Sequence, residues 1–286
     1  MSHPVAPASA PDPIALAWAL EPAIVAPVLA TAAIYVVGWT RASRQMAGRF
    51  DRRHLGAFLA GLAALGVALT SPLDALAGRL LQAHMVQHLL LMLVAPPLLW
   101  LGAPVAPLLL GLPRPLRHAM AAGLGAAPVR RLVETCGHPV VAWLSFALAF
   151  WVWHAPALYD LALHSDAWHH VEHACFFAAA LLFWRPVIRP WPSRSVWPHW
   201  AMIPYLVLAE AQNMALAAIL TFAERVIYPA YAAAPRLWDI PALEDQSIAG
   251  VIMWVPGSVA FLLPVIWLVT RTLAPARYRR VEAQRP

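Results

Sequence analysis

Five histidines fall on two apolar stretches of this chain, His84 and His88 on one and His169, His170 and His173 on the other. Imidazole is expensive in hydrocarbon, so a group of them at one depth points to a bound metal or haem. His84, His88 and Met92 recur every four residues and line one face of a helix. On the second stretch His169, Glu172 and His173 share a face, so two stripes of ligands can meet. His154, in Trp153-His154-Ala155-Pro156, is placed to close the site, and His170 adds a further nitrogen. The expected metal ligands are therefore His84, His88, His154, His169, His170, His173 and Met92. A second tier holds Glu172, Glu210, Asn213, Met214 and Met253, with Glu210 either functional or a neutral hydrogen-bonded acid.

Neutral imidazoles with an optional thioether and no thiolate suit copper, particularly Cu(I), and tolerate zinc. A carboxylate-rich magnesium or calcium cage is absent from the sequence. Cys136 and Cys175 belong to no CxxC or CxC pair and fall at different depths, so neither a thiolate site nor a disulfide is expected. Three other chemistries use the same residues. A b-type haem would take one axial histidine from each stretch. Residues 169–173 satisfy the HxxEH pattern of a metallohydrolase, although no third ligand is identifiable. A copper transporter would need a route across, and His118, His138 and His199 lie only at the far boundary. Those three and His54 are expected to bond across helices or to reach the headgroups.

The elements that carry these residues are membrane helices. Of 286 residues, 61% are hydrophobic and 12% charged, against about a quarter charged in an ordinary soluble domain, and the mean hydropathy is +0.63. An all-α, polytopic bundle is expected, with seven spans at Pro22 to Trp39, Leu55 to Ser71, Leu80 to Leu101, His138 to His154, Trp168 to Val187, Pro198 to Phe222 and Gln246 to Thr270. At 1.5 Å per residue His84 and His88 then sit about 6 and 12 Å below the surface at Leu80. Prolines 96, 97, 104 and 107 predict a kinked third helix followed by an interfacial segment over Leu98 to Leu112.

All twenty basic residues are arginine, and seventeen of them fall in alternate loops and the C-terminal tail. The positive-inside rule then places the N-terminus outside and the C-terminus inside. Arginine sorted by loop, and not clustered as a patch, argues against a nucleic-acid partner despite a pI near 10. The organisation expected is a short extracytoplasmic tail over 1–21, one membrane domain over 22–270 and a basic cytoplasmic tail over 271–286. The first twenty residues lack a basic n-region and do not read as a cleaved signal. The loop from Glu224 to Asp245 offers Tyr228, Tyr231 and Trp238 beside Asp239, Glu244 and Asp245, as a belt of interfacial aromatics or a docking surface.

Several motifs carry a resemblance. They are Ser71-Pro72-Leu73, Ala83-His84-Met85-Val86-Gln87-His88, Ala95-Pro96-Pro97, Trp153-His154-Ala155-Pro156-Ala157-Leu158-Tyr159-Asp160, Glu172-His173, Phe183-Trp184-Arg185-Pro186, Tyr228-Pro229-Ala230-Tyr231, and Leu243-Glu244-Asp245-Gln246 through Met253-Trp254-Val255-Pro256-Gly257. Together they resemble the seven-helix CtaG family of cytochrome c oxidase assembly factors over about three quarters of the chain. The resemblance implies a bacterial cytoplasmic-membrane protein needed to mature a haem-copper oxidase, handling copper for one of its subunits and not itself an enzyme. An unrelated single-span copper chaperone with a CxC pair shares the short name, and this chain has neither feature. The expected mechanism is Cu(I) held on the outer face and passed within the membrane plane to an oxidase subunit.

Overall fold

The computed structural model describes residues 18–46, 48–193, 197–235 and 237–273, which hold helices and no strand. His3, Arg194, Arg236 and most of both expected tails lie outside the described residues. The helices are α1 Pro22–Gln45, α2 Arg52–Thr70, α3 Pro72–Ala77, α4 Leu81–Leu101, α5 Val105–Gly111, α6 Arg114–Gly125, α7 Ala127–Cys136, α8 Pro139–Trp153, α9 Pro156–Leu163, α10 Asp166–Ile188, α11 Met202–Phe222, α12 Pro229–Ala233 and α13 Ala242–Leu273.

Helices α1, α2, α4, α10, α13 and the stretch His199–Phe222 containing α11 are long and apolar enough to cross a membrane. Helix α8 has 15 residues, about 22 Å at 1.5 Å per residue, and qualifies only together with α7, from which it bends by 66°. The chain is thus an all-helical membrane protein with six or seven spans. Its lipid-facing surface is apolar, as exposed Leu148, Leu208, Val255, Leu263 and Ile266 illustrate.

Loops bearing the arginines meet at one end. Arg49 lies over the Trp191 ring at 4.9 Å and Arg189 Nη2 donates to Trp197 O at 2.6 Å. Two histidines expected to be structural act as caps there: His54 shares a capping box with Asp51 at the start of α2, and His138 Nδ1 accepts from Val140 N at the start of α8. The opposite, histidine-rich end gathers the C-termini of α2 and α8 with the N-termini of α4, α10 and α13.

Helix α4 is continuous through its prolines because a π turn, Leu90–Val94, absorbs the break. Pro96 has no N–H for the Met92 carbonyl one turn back, and Trp184 Nε1 donates to that carbonyl instead at 2.9 Å. The segment expected at the interface does something else. Leu98 to Leu101 complete α4, and the chain reverses at Ala103, which sits in the left-handed region at φ 45°. Helix α5 then runs back beside α1: Ala106 packs near Ala42, while Gly111 lies against Ile34. A Cβ at Gly38 or Gly111 would overlap the Pro107 or the Ile34 carbonyl, so two glycines permit this backbone contact. Leu108, packed against the cluster of Tyr35, Phe58, Leu62 and Leu99, supplies the apolar reason for burial over an interfacial position.

Candidate metal centre

Helix α4 begins at Leu81, and its first N–H groups need acceptors. Asp245, the residue before the expected seventh span, caps them from α13: its carboxylate oxygens lie 2.7 Å from Leu81 N and 3.1 Å from Gln82 N. Gln87 ties the same helix to α2 and α3, donating to Ala68 O and Asp74 Oδ1, both at 2.7 Å. These contacts hold the α4 histidine stripe opposite that of α10.

His84 is fully buried, with Nδ1 at 2.9 Å from both Tyr231 Oη and Tyr159 Oη. Burial pushes both phenols up, so they stay protonated. Tyr231 donates its hydroxyl proton to Ala77 O at 2.6 Å, so its oxygen accepts from His84 Nδ1–H. That assignment leaves His84 Nε2 as a bare lone pair, 3.7 Å from Glu172 Oε2. His154 is set the same way: Nδ1–H donates to Phe150 O at 2.7 Å and Nε2 has no partner. A second hydrogen bond that fixes the tautomer and aims the free nitrogen is the usual support for a metal-binding histidine.

Glu172, also fully buried, stands at the centre. Its other oxygen lies 3.7 Å from His88 Nε2. The rings crowd around it, with centroids 4.2 Å apart for His84 and His88, 4.1 Å for His169 and His173, and 5.3 Å for His84 and His169. One ligand atom each from His84, His169, Glu172 and His173 falls within 4.8 Å of the others. Two nitrogens bound to one ion at about 2.1 Å are at most about 4.2 Å apart, so a shared ion needs only a small contraction. Among the described residues twelve buried side-chain atoms lack a hydrogen-bond partner, and eight belong to His84, His88, His154, His169, Glu172 and His173. Each such atom costs roughly 1–3 kcal/mol unless something satisfies it. Three neutral nitrogens and a carboxylate fit a transition-metal ion in donor type and spacing.

The expected ligands divide on inspection. His84, His169 and His173 join the group, with His88 against Glu172 and His154 6.1 Å from His88 by ring centroid. His170 lies on the exposed side of α10, about 100° from His169, and Met214 is exposed on α11. Met92 and Met253 are buried below His88 and line a cavity beside it. Glu210 accepts from Ser258 Oγ and Asn213 Nδ2 donates to Met253 O at 3.1 Å, so both serve the packing of α11 on α13. Glu172 moves from second tier to centre because its spacing from His169 and His173 puts it on their shared face.

Sequence reasoning missed Tyr159, Tyr231 and Asp245 as supports and Met85 as a cavity residue. Tyr228 and Tyr231, read as a surface belt or docking face, are each 1% exposed; Tyr228 Oη donates to His154 O at 3.2 Å. Asp245 is likewise buried. The signal available was tyrosine within the motif runs themselves, Leu158-Tyr159-Asp160 and Tyr228-Pro229-Ala230-Tyr231.

All of these residues lie within 33–274, the stretch matched by the family model described as cytochrome c oxidase caa3 assembly factor, Caa3_CtaG. The chain belongs to the Caa3_CtaG family. Similar proteins include the uncharacterized protein Mb0105 of Mycobacterium bovis and MT0111 of Mycobacterium tuberculosis, each 24% identical over 266 residues. ML1998 of Mycobacterium leprae is 24% identical over 268 residues. These matches cover 89% to 90% of this family member, which spans 39% of the length of each relative. No solved structure matches it.

Proposed function

We propose that this assembly factor binds a copper ion at the histidine-rich end through His84, His169, His173 and Glu172, and delivers it to a haem-copper oxidase subunit. The observation that carries the reading is the convergence of unpartnered imidazole nitrogens on a buried, unpartnered carboxylate. Copper is favoured by the donor set, since imidazoles with nearby thioethers and no thiolate suit Cu(I) or Cu(II) better than a hard cation. Space among rings 4 to 6 Å apart is ion-sized, which favours a single ion over haem. The arginine distribution supports placing this end on the outer side of a bacterial cytoplasmic membrane. Transfer then runs between two membrane proteins in the plane of the bilayer.

A hydrolase reading gains something from the fold, because His84 supplies the third imidazole missing from the HxxEH pattern. Burial weighs against it: Glu172 and His84 are closed off from solvent, with Tyr159 against His84 and Phe176 against His88.

Copper content of the purified protein, loaded anaerobically with Cu(I), tests the proposal against a His84→Ala/His173→Ala double variant. Wild type should hold copper in this site, show no Soret band, and lose that ion in the variant; cells carrying the variant should accumulate oxidase lacking copper. Equal copper in the two proteins would remove the site, and copper-replete oxidase from variant cells would remove the delivery role.

A further inference from the structure

Beneath the group around Glu172 lies a small cavity of about 20 Å³, bounded by α4, α8, α11 and α13. That is room for one small ion or one water. Its polar lining differs from the site above. It holds the imidazoles of His88 and His154, the thioethers of Met85, Met92 and Met253, and the amides of Gln212 and Asn213, the rest being apolar. No carboxylate reaches it. Each of the two histidines and three methionines is more than nine-tenths buried, and His154 Nε2 and both nitrogens of His88 have no hydrogen-bond partner.

We propose that this cavity is a second metal site, selective for a soft monovalent cation, Cu(I), ligated by His88, His154 and the methionine sulfurs. The inference rests on the copper reading above and deepens it. Thioethers select Cu(I) among first-row ions because both partners are soft and polarisable. Charge points the same way. The cost of burying an ion grows with the square of its charge, so a monovalent ion pays about a quarter of the divalent penalty in a pocket without a counter-charge. The carboxyl of Glu172 can give up its proton to a bound cation above, and the lower cavity has no carboxyl to do so.

Three methionines from two helices face one small cavity because of sequence spacing. Met85, His88 and Met92 stand at i, i+3 and i+7, a single face of α4. Met253 comes from α13, where Gly250 and Gly257 allow close approach to α11. His88 belongs to both compartments: its Nε2 faces Glu172 at 3.7 Å while its ring lines the cavity. The ion therefore has a route from a carboxylate-bearing site to a neutral one through a shared imidazole, without crossing apolar space. This two-site arrangement deepens the carrier role: the lower site holds copper in one oxidation state, out of reach of water.

The test is an anaerobic Cu(I) titration of the full chain against a competing chelator, with X-ray absorption at the copper edge. It compares wild type, Met85→Leu/Met92→Leu/Met253→Leu and His84→Ala/His173→Ala. Leucine keeps the methionine volume, and helix content and monodispersity report folding. Wild type is expected to bind two Cu(I) with a sulfur shell, and the methionine variant one with nitrogen and oxygen only. The double histidine variant is expected to bind one with sulfur retained. Wild type lacking a sulfur shell, or a methionine variant that still binds two, overturns the second site while leaving the first. Loss of copper from the methionine variant alone overturns the first site and keeps the second. No copper in wild type overturns both.

Discussion

Histidine plays two parts at the two ends of this bundle, and its hydrogen bonds tell them apart. At the arginine-rich end His54 and His138 cap helices through Nδ1, and the nearby buried phenol of Tyr35 donates to Gly102 O at 2.6 Å. Polar groups there are closed by the fold itself. At the other end His84 and His154 use one nitrogen for an internal hydrogen bond and leave the second bare and buried, and His169 and His173 also present an unpartnered Nε2. Two buried nitrogens without partners would be an ordinary packing fault, but six unpartnered imidazole nitrogens around one unpartnered carboxyl group are the donor set on which the copper proposal rests. Burial with an unfilled, aimed lone pair therefore separates a candidate ligand from a structural histidine where residue type does not.

The largest blow to that contrast comes from Glu172, the one carboxyl group in the cluster. Glu172→Gln keeps the shape but removes the charge that offsets a cation, and copper affinity of the upper site should fall by about 100-fold or more, about 3 kcal/mol. Chelator competition measures this. Undiminished affinity would mean that the carboxylate is neutral in the bound state and that the histidines alone hold the ion.

A smaller effect is expected one layer out. Tyr231→Phe removes the acceptor for His84 Nδ1–H while keeping the ring, so the imidazole loses its fixed tautomer. Affinity should drop by about 10- to 100-fold, the usual range for a lost supporting partner. Tyr159, at the same 2.9 Å from His84, is the backup, and the Tyr159→Phe/Tyr231→Phe double variant should lose more than the sum of the two single losses. Additive losses would mean the two phenols act independently.

Much of this arrangement was legible in the sequence. Membrane helices, the pairing of the two histidine stripes and their common depth follow from composition and 3.6-residue periodicity. Glu172 was visible as a member of the stripe, but periodicity cannot say which polar group of a stripe sits at its centre. Tyr231 and Asp245 were illegible for a different reason. They reach His84 and the start of α4 from 147 and 164 residues away in sequence, and local pattern carries no information about such contacts. Met85 lies about 100° round the helix from His84 but only about 60° from His88 and about 20° from Met92, so it borders the stripe on the side where the cavity opens. Helix α5 was misplaced because four prolines and a run of leucines are equally compatible with lying on the membrane surface and with packing against α1.

That packing gives a perturbation confined to the arginine-rich end. Gly111→Val would push a branched side chain into the Ile34 carbonyl, and overpacking of this kind costs about 1–3 kcal/mol. Thermal unfolding in detergent should come several degrees earlier, with copper stoichiometry unchanged. Loss of copper in a protein that remains folded would show that the two ends are coupled and that the contrast between them is too sharp.

The smallest effect belongs to Asp51, whose carboxylate accepts from Arg53 N at 3.0 Å and His54 N at 3.2 Å at the start of α2. Partial burial pushes this carboxyl up, but the hydrogen bonds from His54 and Arg53 and the adjacent His54 ring outweigh it and hold the group below the ordinary aspartate value. A lowered value in the folded state means that the cap stabilises fully above the unfolded value of about 3.9 and weakens as pH falls through the folded one. Asp51→Ala should therefore cost about 1 kcal/mol at neutral pH, with the gap to wild type narrowing only in acid, and Asp51→Asn should recover most of it because asparagine caps comparably. None of the three proteins should differ in copper bound, since the cap and the proposed metal site lie at opposite ends of the bundle. A pH-independent gap would assign the loss to packing and not to the charged cap.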